Sequence, residues 1–445
     1  MESLMKRQYS TPLRKTVLAM LISQALMLPN IASAVTDEVA AHIAKLERTV
    51  AVLVARVNQL EAEKGSQRAV TKPTAEDAKA QSEKIASLER NVSQLSESMS
   101  MPHTEDGLPL HGFVDVGMGY SNKLPNYAGG RPNGFTIGSF DMYLTPRLGD
   151  HVKSLIEANI ERSDAGNVNI DLERLQVGYV FGDSITAWLG RFHTPYGAWN
   201  TAYHHGAQIQ TSIMRPRFIA FEDQGGILPA HTVGLWATGN TPAGAGKMTY
   251  DVFLGNGSRI QDDTLDMNNA KDDNRNTAVG FNAGYKFGAT LSGLKIGVHG
   301  LSEEVDAYNT STDTRVSRTQ LNMYGGYTTY DENDWDVIGE YYSFHNKDLS
   351  GGTGTHSSWA GFLQVGRLML DRWTPYVRYE KAVLDQSDNY FATQFSGRSY
   401  ARGALGVRYD IEAKSALKFE TDHTQQKDNS GPDYNEFRVQ YSVRF

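Results

Sequence analysis

The 445-residue chain contains no cysteine, which excludes disulfides, thiolate metal sites and a thiol nucleophile. After its first thirty residues it also lacks any apolar run approaching the ~18 residues that a membrane-spanning helix needs. A net charge of -8 leaves no basic footprint, so no nucleic-acid partner is expected. The mean hydropathy is negative. These absences leave two classes, a soluble protein or one that enters a membrane by a route other than helices. Glycine, at 42 residues, and aromatics, at 10%, are plentiful.

The first segment points to export. Lys6, Arg7, Arg14 and Lys15 precede the short apolar run Thr16 to Leu28, and Ala32-Ser33-Ala34 supplies small residues for cleavage after Ala34. Residues 1–34 are therefore expected to be a signal peptide. In residues 35–101, Val39, Ile43, Leu46, Val50, Leu53, Val57 and Leu60 alternate at intervals of four and three, the spacing of a coiled-coil seam. Pro73 interrupts it, and Ile85, Leu88, Val92, Leu95 and Met99 resume the same spacing. A polar helix with one narrow stripe should find partners, most simply copies of itself. The expectation is a periplasmic α-helical coiled coil in an oligomer.

From residue 108 the apolar period changes from seven to two. In NEFRVQYSVRF, Phe437, Val439, Tyr441, Val443 and Phe445 alternate with Glu436, Arg438, Gln440, Ser442 and Arg444. A strand of about ten such residues can cross a bilayer at a tilt, one face in lipid and the other in water. Sixteen runs of this kind begin near 110, 136, 151, 170, 185, 231, 247, 277, 293, 319, 334, 358, 373, 401, 414 and 435. Their links alternate: RLGD (147–150), GDS (182–184), DEN (331–333) and LDR (370–372) are tight, whereas the intervening ones are longer. The fold expected for 108–445 is an all-β transmembrane barrel of about 16 antiparallel strands, with short periplasmic turns, long external loops and both termini periplasmic. Closure removes every strand edge, as lipid demands.

The signal peptide, the strand count and the alternating strand that ends on Phe445 resemble a Gram-negative outer-membrane porin. GRFHTPYG (Gly190 to Gly197) resembles the G-x-x-x-x-P-x-G segment of the phosphate-selective porin group, and TPYVRYE (Thr374 to Glu380) is similar to a late strand of that group. The resemblance implies residence in the cell outer membrane among lipid and lipopolysaccharide, and a homotrimer. It also implies that Phe445 is the signal read by the barrel-assembly machinery, and that the third external loop folds into the lumen. The dense Arg/Lys ladder of anion-selective members is missing, so phosphate specificity is not implied.

That loop, roughly 192–229, is the longest link. Arg191, His193, Tyr196, Trp199, His204, His205, Arg215, Arg217, Glu222 and Asp223 are the residues expected to form the pore constriction, with Trp199, Tyr196, Tyr203, Phe218 and Phe221 able to anchor the loop against the inner wall. The barrel region is net acidic. A weakly basic constriction within it would favour small anions, with the histidines adding charge below about pH 6.5. The arginines either face the water or pair with Glu222, Asp223 or the lumen carboxylates Glu157, Glu340 and Glu380. His193, His204 and His205 with Glu222 or Asp223 have the residue types of a metal site, but adjacent histidines on a strand would diverge, and no metal or cofactor is expected. Ser212 shares the loop with histidines and carboxylates, yet no nucleophile elbow surrounds it, and no enzyme is expected. The external Asp262, Asp263, Asp266, Asp272 and Asp273 either hold divalent cations beside lipopolysaccharide or form a solvated loop. The function expected is passive diffusion of small hydrophilic solutes through a porin. The alternative is a structural barrel: an envelope tether, with the coiled coil on peptidoglycan, or a sheath for an electron-transfer cytochrome.

Overall fold

The computed structural model describes residues 110–123, 133–146, 148–162, 168–182, 184–203, 206–266, 274, 276–427 and 431–445. The expected signal peptide and coiled coil lie outside these residues, as do His204, His205, Asp272 and Asp273.

Sixteen long strands form the wall. They are β1 (Leu110–Ser121), β2 (Gly134–Leu144), β3 (Val152–Arg162), β4 (Val168–Gly182), β5 (Ile185–His193), β6 (His231–Ala243), β7 (Gly246–Gly255), β10 (Ala278–Lys286), β11 (Leu294–Asn309), β12 (Thr314–Glu332), β13 (Trp335–Asp348), β14 (Thr355–Arg367), β15 (Trp373–Val383), β16 (Tyr400–Glu412), β17 (Ser415–Gln426) and β18 (Tyr434–Arg444). Two short strands, β8 (Arg259–Gln261) and β9 (Thr264–Leu265), were not legible in the alternation. β8 runs parallel to β11 (Asp306 opposite Arg259) and so continues the wall beyond the end of β10. Each long strand pairs antiparallel with its neighbour, and β1 pairs with β18 (Phe113 opposite Arg444), which closes the barrel. Phe445 finishes the seam. Its N–H donates to Gly112 O at 3.0 Å, its carbonyl accepts from Gly112 N at 3.2 Å, and its ring stacks on Phe140 at 5.9 Å.

The dyad pattern sets which face goes where. β15 alternates exposed and buried along its whole length. The outward face is apolar across neighbouring strands: Leu189 is 63% exposed, Leu235 54%, Val252 55% and Leu405 57%, values that suit contact with lipid and not a packed sandwich. Near the tight-turn end the outward aromatics cluster, with Tyr285 and Phe287 at 4.9 Å and Trp373 and Tyr409 at 4.5 Å, as in an interfacial girdle.

Links 183–184, 244–245, 333–334 and 413–414 lie at one end, and the longest described link, 194–230, at the other. One link departs from the expected alternation. β11 and β12 are joined by only 310–313, because the two strands, 16 and 19 residues long, go on pairing well past their neighbours.

Candidate functional site

The 194–230 link turns into the barrel, and its neck is closed by side chains at both roots. Thr194 N donates to Ala230 O at 2.9 Å, and the Thr194 and Thr232 hydroxyls meet at 2.8 Å. Asn200 Nδ2 donates to Thr194 O (2.9 Å) and Ala230 O (3.2 Å), bridging the roots. Arg215 Nη2 donates to Asn200 Oδ1 at 2.9 Å and its Nε to Ile219 O at 2.9 Å, while its guanidinium lies 4.3 Å from the Phe221 ring centre. Burial lowers the Arg215 pKa to about 10, which leaves it charged at neutral pH.

Beyond the neck the wall supplies what the loop lacks. Helix α1 (Trp199–Ala202) begins at Ala198, which has no capping side chain. Glu340 of β13 caps it instead, accepting from Ala198 N at 3.1 Å and Trp199 N at 2.6 Å, and also from the Tyr342 hydroxyl. Gly197 (φ +61) makes this approach possible, since a Cβ there would sit 2.3 Å from Glu340 Oε2. The arrangement repeats twice. Glu380 of β15 accepts from Arg217 N (2.6 Å) and the Tyr400 hydroxyl (2.9 Å), and Glu420 of β17 accepts from Ile213 N (3.2 Å) and the Tyr376 hydroxyl (2.8 Å). Three carboxylates on alternate strands thus each hold one tyrosine and the loop backbone, Glu340 by two amides and Glu380 and Glu420 by one each.

Wall cations take the loop carbonyls. Arg378 Nη1 donates to Met214 O at 2.7 Å and Ser212 Oγ at 3.0 Å, Arg408 Nη1 to Gln208 O and to Gln210 O at 2.9 Å, and Lys418 to Ala207 O and to Ser212 O at 3.2 Å. Residues 207–217 are therefore fastened along β15 to β17 by charges of both signs.

The rest of the loop packs on an apolar interior. Phe218, Ile219, Ile227 and Leu228 are buried with Leu301, Val305, Leu321, Phe344 and Phe362 from the wall. A second link, 384–399, enters beside it. Helix α2 (Asn389–Ala392) is capped by Asp388, which accepts from Tyr390 N at 3.0 Å, and the Tyr390 hydroxyl donates to Ile227 O at 2.6 Å.

The residues expected at the constriction divide accordingly. Tyr196 (0% exposed) and Trp199 (1%) are packing residues, the latter edge-on to Phe362 at 5.6 Å, and neither faces water. Arg215 and Arg217 are buried as well. Glu340 and Glu380 also bind the loop through its amides, the Arg217 guanidinium rests 4.7 Å from the Tyr400 ring centre, and Glu222 and Glu340 lie close enough to Arg215 to favour its charged form. Arg191 Nε donates to Glu173 O at 3.0 Å. His193 and His231 face each other across β5 and β6, ring centres 5.5 Å apart, with His193 Nε2 3.4 Å from Glu157 and His231 Nε2 2.7 Å from Glu173. Glu222 accepts from Ala230 N at 2.7 Å and lies 3.8 Å from His231 Nδ1. Burial pushes the Glu222 carboxyl up, but His231 and the carboxyl's own turn pull it further down, so its pKa falls below the usual range. The Asp223 side chain is outside the described part. Among the described residues no group of His, Asp or Glu side chains converges to hold a metal ion. Ser212 Oγ donates to Met214 O at 3.0 Å, so that proton is directed at a carbonyl and not at a base.

Glu420, Arg378, Arg408 and Lys418 were missed from sequence. Their only signal was parity, each falling on the polar phase of its strand.

No protein-family model and no curated protein matches the sequence. Solved structures do match in fold. An anion-selective porin from Comamonas acidovorans is 15% identical, with a TM-score of 0.52 over 76% of this chain and 99% of that chain. The outer membrane channel DcaP of Acinetobacter baumannii is 12% identical, with a TM-score of 0.49 over 76% and 97%. A loop-deletion form of OmpT, an outer membrane protein of Vibrio cholerae, is 12% identical, with a TM-score of 0.48 over 76% and 99%. Residues 110–445 thus form a closed sixteen-strand barrel with the fold of the outer-membrane porins.

Proposed function

We propose that the protein is an outer-membrane porin for passive diffusion of small hydrophilic solutes, its passage narrowed by the 194–230 loop. One observation carries this: the loop's wall hydrogen bonds run mainly to β13 to β17, with one to Asn282 of β10 and its roots held on β6, while the inward Thr186, Trp188, Trp236, Thr238 and Asp251 farther along β5 to β7 stay partly exposed. A plug would cover the whole inner face; a constriction leaves part of it exposed. Arg215 and Arg217 position the loop in this reading, and any preference for anions would have to come from other groups. The chain acts without catalysis, metal or cofactor. It works as a homotrimer, a reading supported by the seam spacing of residues 39–99. Phe445, which closes the β1–β18 seam, serves as the assembly signal.

Planar-bilayer recording of the purified full-length protein tests the channel. An open, ohmic conductance is expected, and silence from correctly folded protein would overturn the reading. The apolar fill around Phe344, Phe362 and Phe391 favours a second reading, a tether with a closed interior, which that silence would support. Removing residues 36–100 tests assembly: a trimer that persists on a gel takes that role from the N-terminal segment.

A further inference from the structure

The open side of the lumen is not a plain polar wall. Trp188 (β5), Trp236 (β6) and Phe253 (β7) stand directly opposite one another in register. Leu189, Leu235, Val252 and Leu254 on the same strands are exposed to the outside, so this aromatic row belongs to the inward phase. Glycines flank it. Gly178 pairs with Trp188 and Gly280 with Phe253, and a Cβ at either would come within 2.5 Å or 2.3 Å of the neighbouring ring. Missing side chains at both ends let the rings lie down on the sheet. The two indoles are nearly parallel, with centres 6.1 Å apart and planes 19° apart, and Phe192 supports Trp236 from 5.5 Å. Both indoles are half-buried, whereas Phe192 and Phe253 are covered.

The next inward row is hydrogen-bonding. Thr186, Thr238 and Asp251 lie opposite one another, followed by Asn240 on β6. Asp251 accepts from Trp236 Nε1 at 3.1 Å and from Thr238, and its charge is opposed by Lys295. The fringe is therefore rich in hydroxyl, amide and carboxylate groups but close to neutral overall. A flat apolar face bordered by such groups matches a flat solute that carries hydroxyls around its edge.

Resting on the channel reading above, we propose that Trp188 and Trp236 form a stacking platform for the apolar face of a neutral sugar ring, with Thr238 and Asp251 taking its hydroxyls. The lumen thereby favours carbohydrates over other solutes of equal size. Bilayer recordings with maltose test it. Maltose should reduce the ion current saturably, while mannitol, as hydroxylated but without a ring, should not. Trp188→Ala with Trp236→Ala should weaken the maltose block roughly tenfold or more while preserving conductance. Should that pair fail to fold, Trp236→Leu keeps the wall apolar without a ring face and should give the same direction. A conducting wild-type channel with no saturable maltose effect overturns the platform, as does equal block by mannitol. Block by N-acetyltryptophanamide but not by maltose would also overturn it, in favour of an aromatic solute. If no ion current flows, the channel reading fails separately, and quenching of tryptophan fluorescence by maltose in detergent still decides whether the platform binds.

Discussion

Strands β13 to β18 and strands β5 to β7 belong to one wall with one pleat, yet their inward faces end in different environments. On β15, β17 and β18 nearly every inward residue is buried, because loop 194–230 lies over them and charged pairs fill the gaps. Arg402 and Arg438 share Asp422 at 2.8 and 2.6 Å in that interior. On β5 to β7 Phe192, Thr232 and Phe253 are covered, but Thr186, Trp188, Trp236, Thr238, Asn240 and Asp251 stay partly open, and the chemistry there is indole, hydroxyl, amide and carboxylate. One side uses its polar groups to hold structure. The other leaves them to whatever enters.

That difference orders the expected mutational effects. Asp422→Ala should be the most damaging, since it removes the carboxylate that two buried guanidiniums share and leaves them to Glu436 and Glu380, at about 3–5 kcal/mol; loss of the heat-resistant folded band on a gel checks it. Glu340→Ala should cost about 1.5–3 kcal/mol by leaving the Ala198 and Trp199 amides without an acceptor. It should also free the loop, seen as larger and noisier single-channel current. Conductance indistinguishable from wild type would mean the loop's place does not depend on this cap.

Acid should act next, through Glu222. Its folded pKa is depressed, so its contribution is present above the unfolded value of about 4.3 and is lost as pH falls through the folded value. Loop-dependent closure or noise should therefore rise only below about pH 4.3, and Glu222→Gln should remove that dependence. A change centred near neutral pH would point to the histidines instead. Thr238→Ala, on the open side, should be smallest, within about 0.5 kcal/mol in urea unfolding. A larger loss would show that the open face is structural after all, and the contrast between the two sides would collapse.

Much of the architecture was legible because strand pleating is local: inward and outward phases follow from residues two apart, as in Phe437 to Phe445. The loop's length and its Pro and Gly punctuation were equally visible. Which loop residues pack and which face the lumen was less so. Tyr196, Trp199, Arg215 and Arg217 have the types of pore-lining residues, and nothing local distinguishes a tryptophan that packs on Phe362 from one, like Trp188, that faces water. The carboxylates named beforehand, Glu340 and Glu380, do meet the loop, with hydrogen bonds to its amides.

Sequence alone determined the alternation, the strand count, the short and long links and the final aromatic that closes the seam, because each depends on neighbours along the chain. Only the tertiary structure decided which side of the wall the loop covers. Glu340 reaches Trp199 across 141 residues, Glu380 reaches Arg217 across 163 and Glu420 reaches Ile213 across 207. Such contacts depend on barrel closure and on where unpaired amides and carboxylates meet once water is excluded, and no local period encodes them.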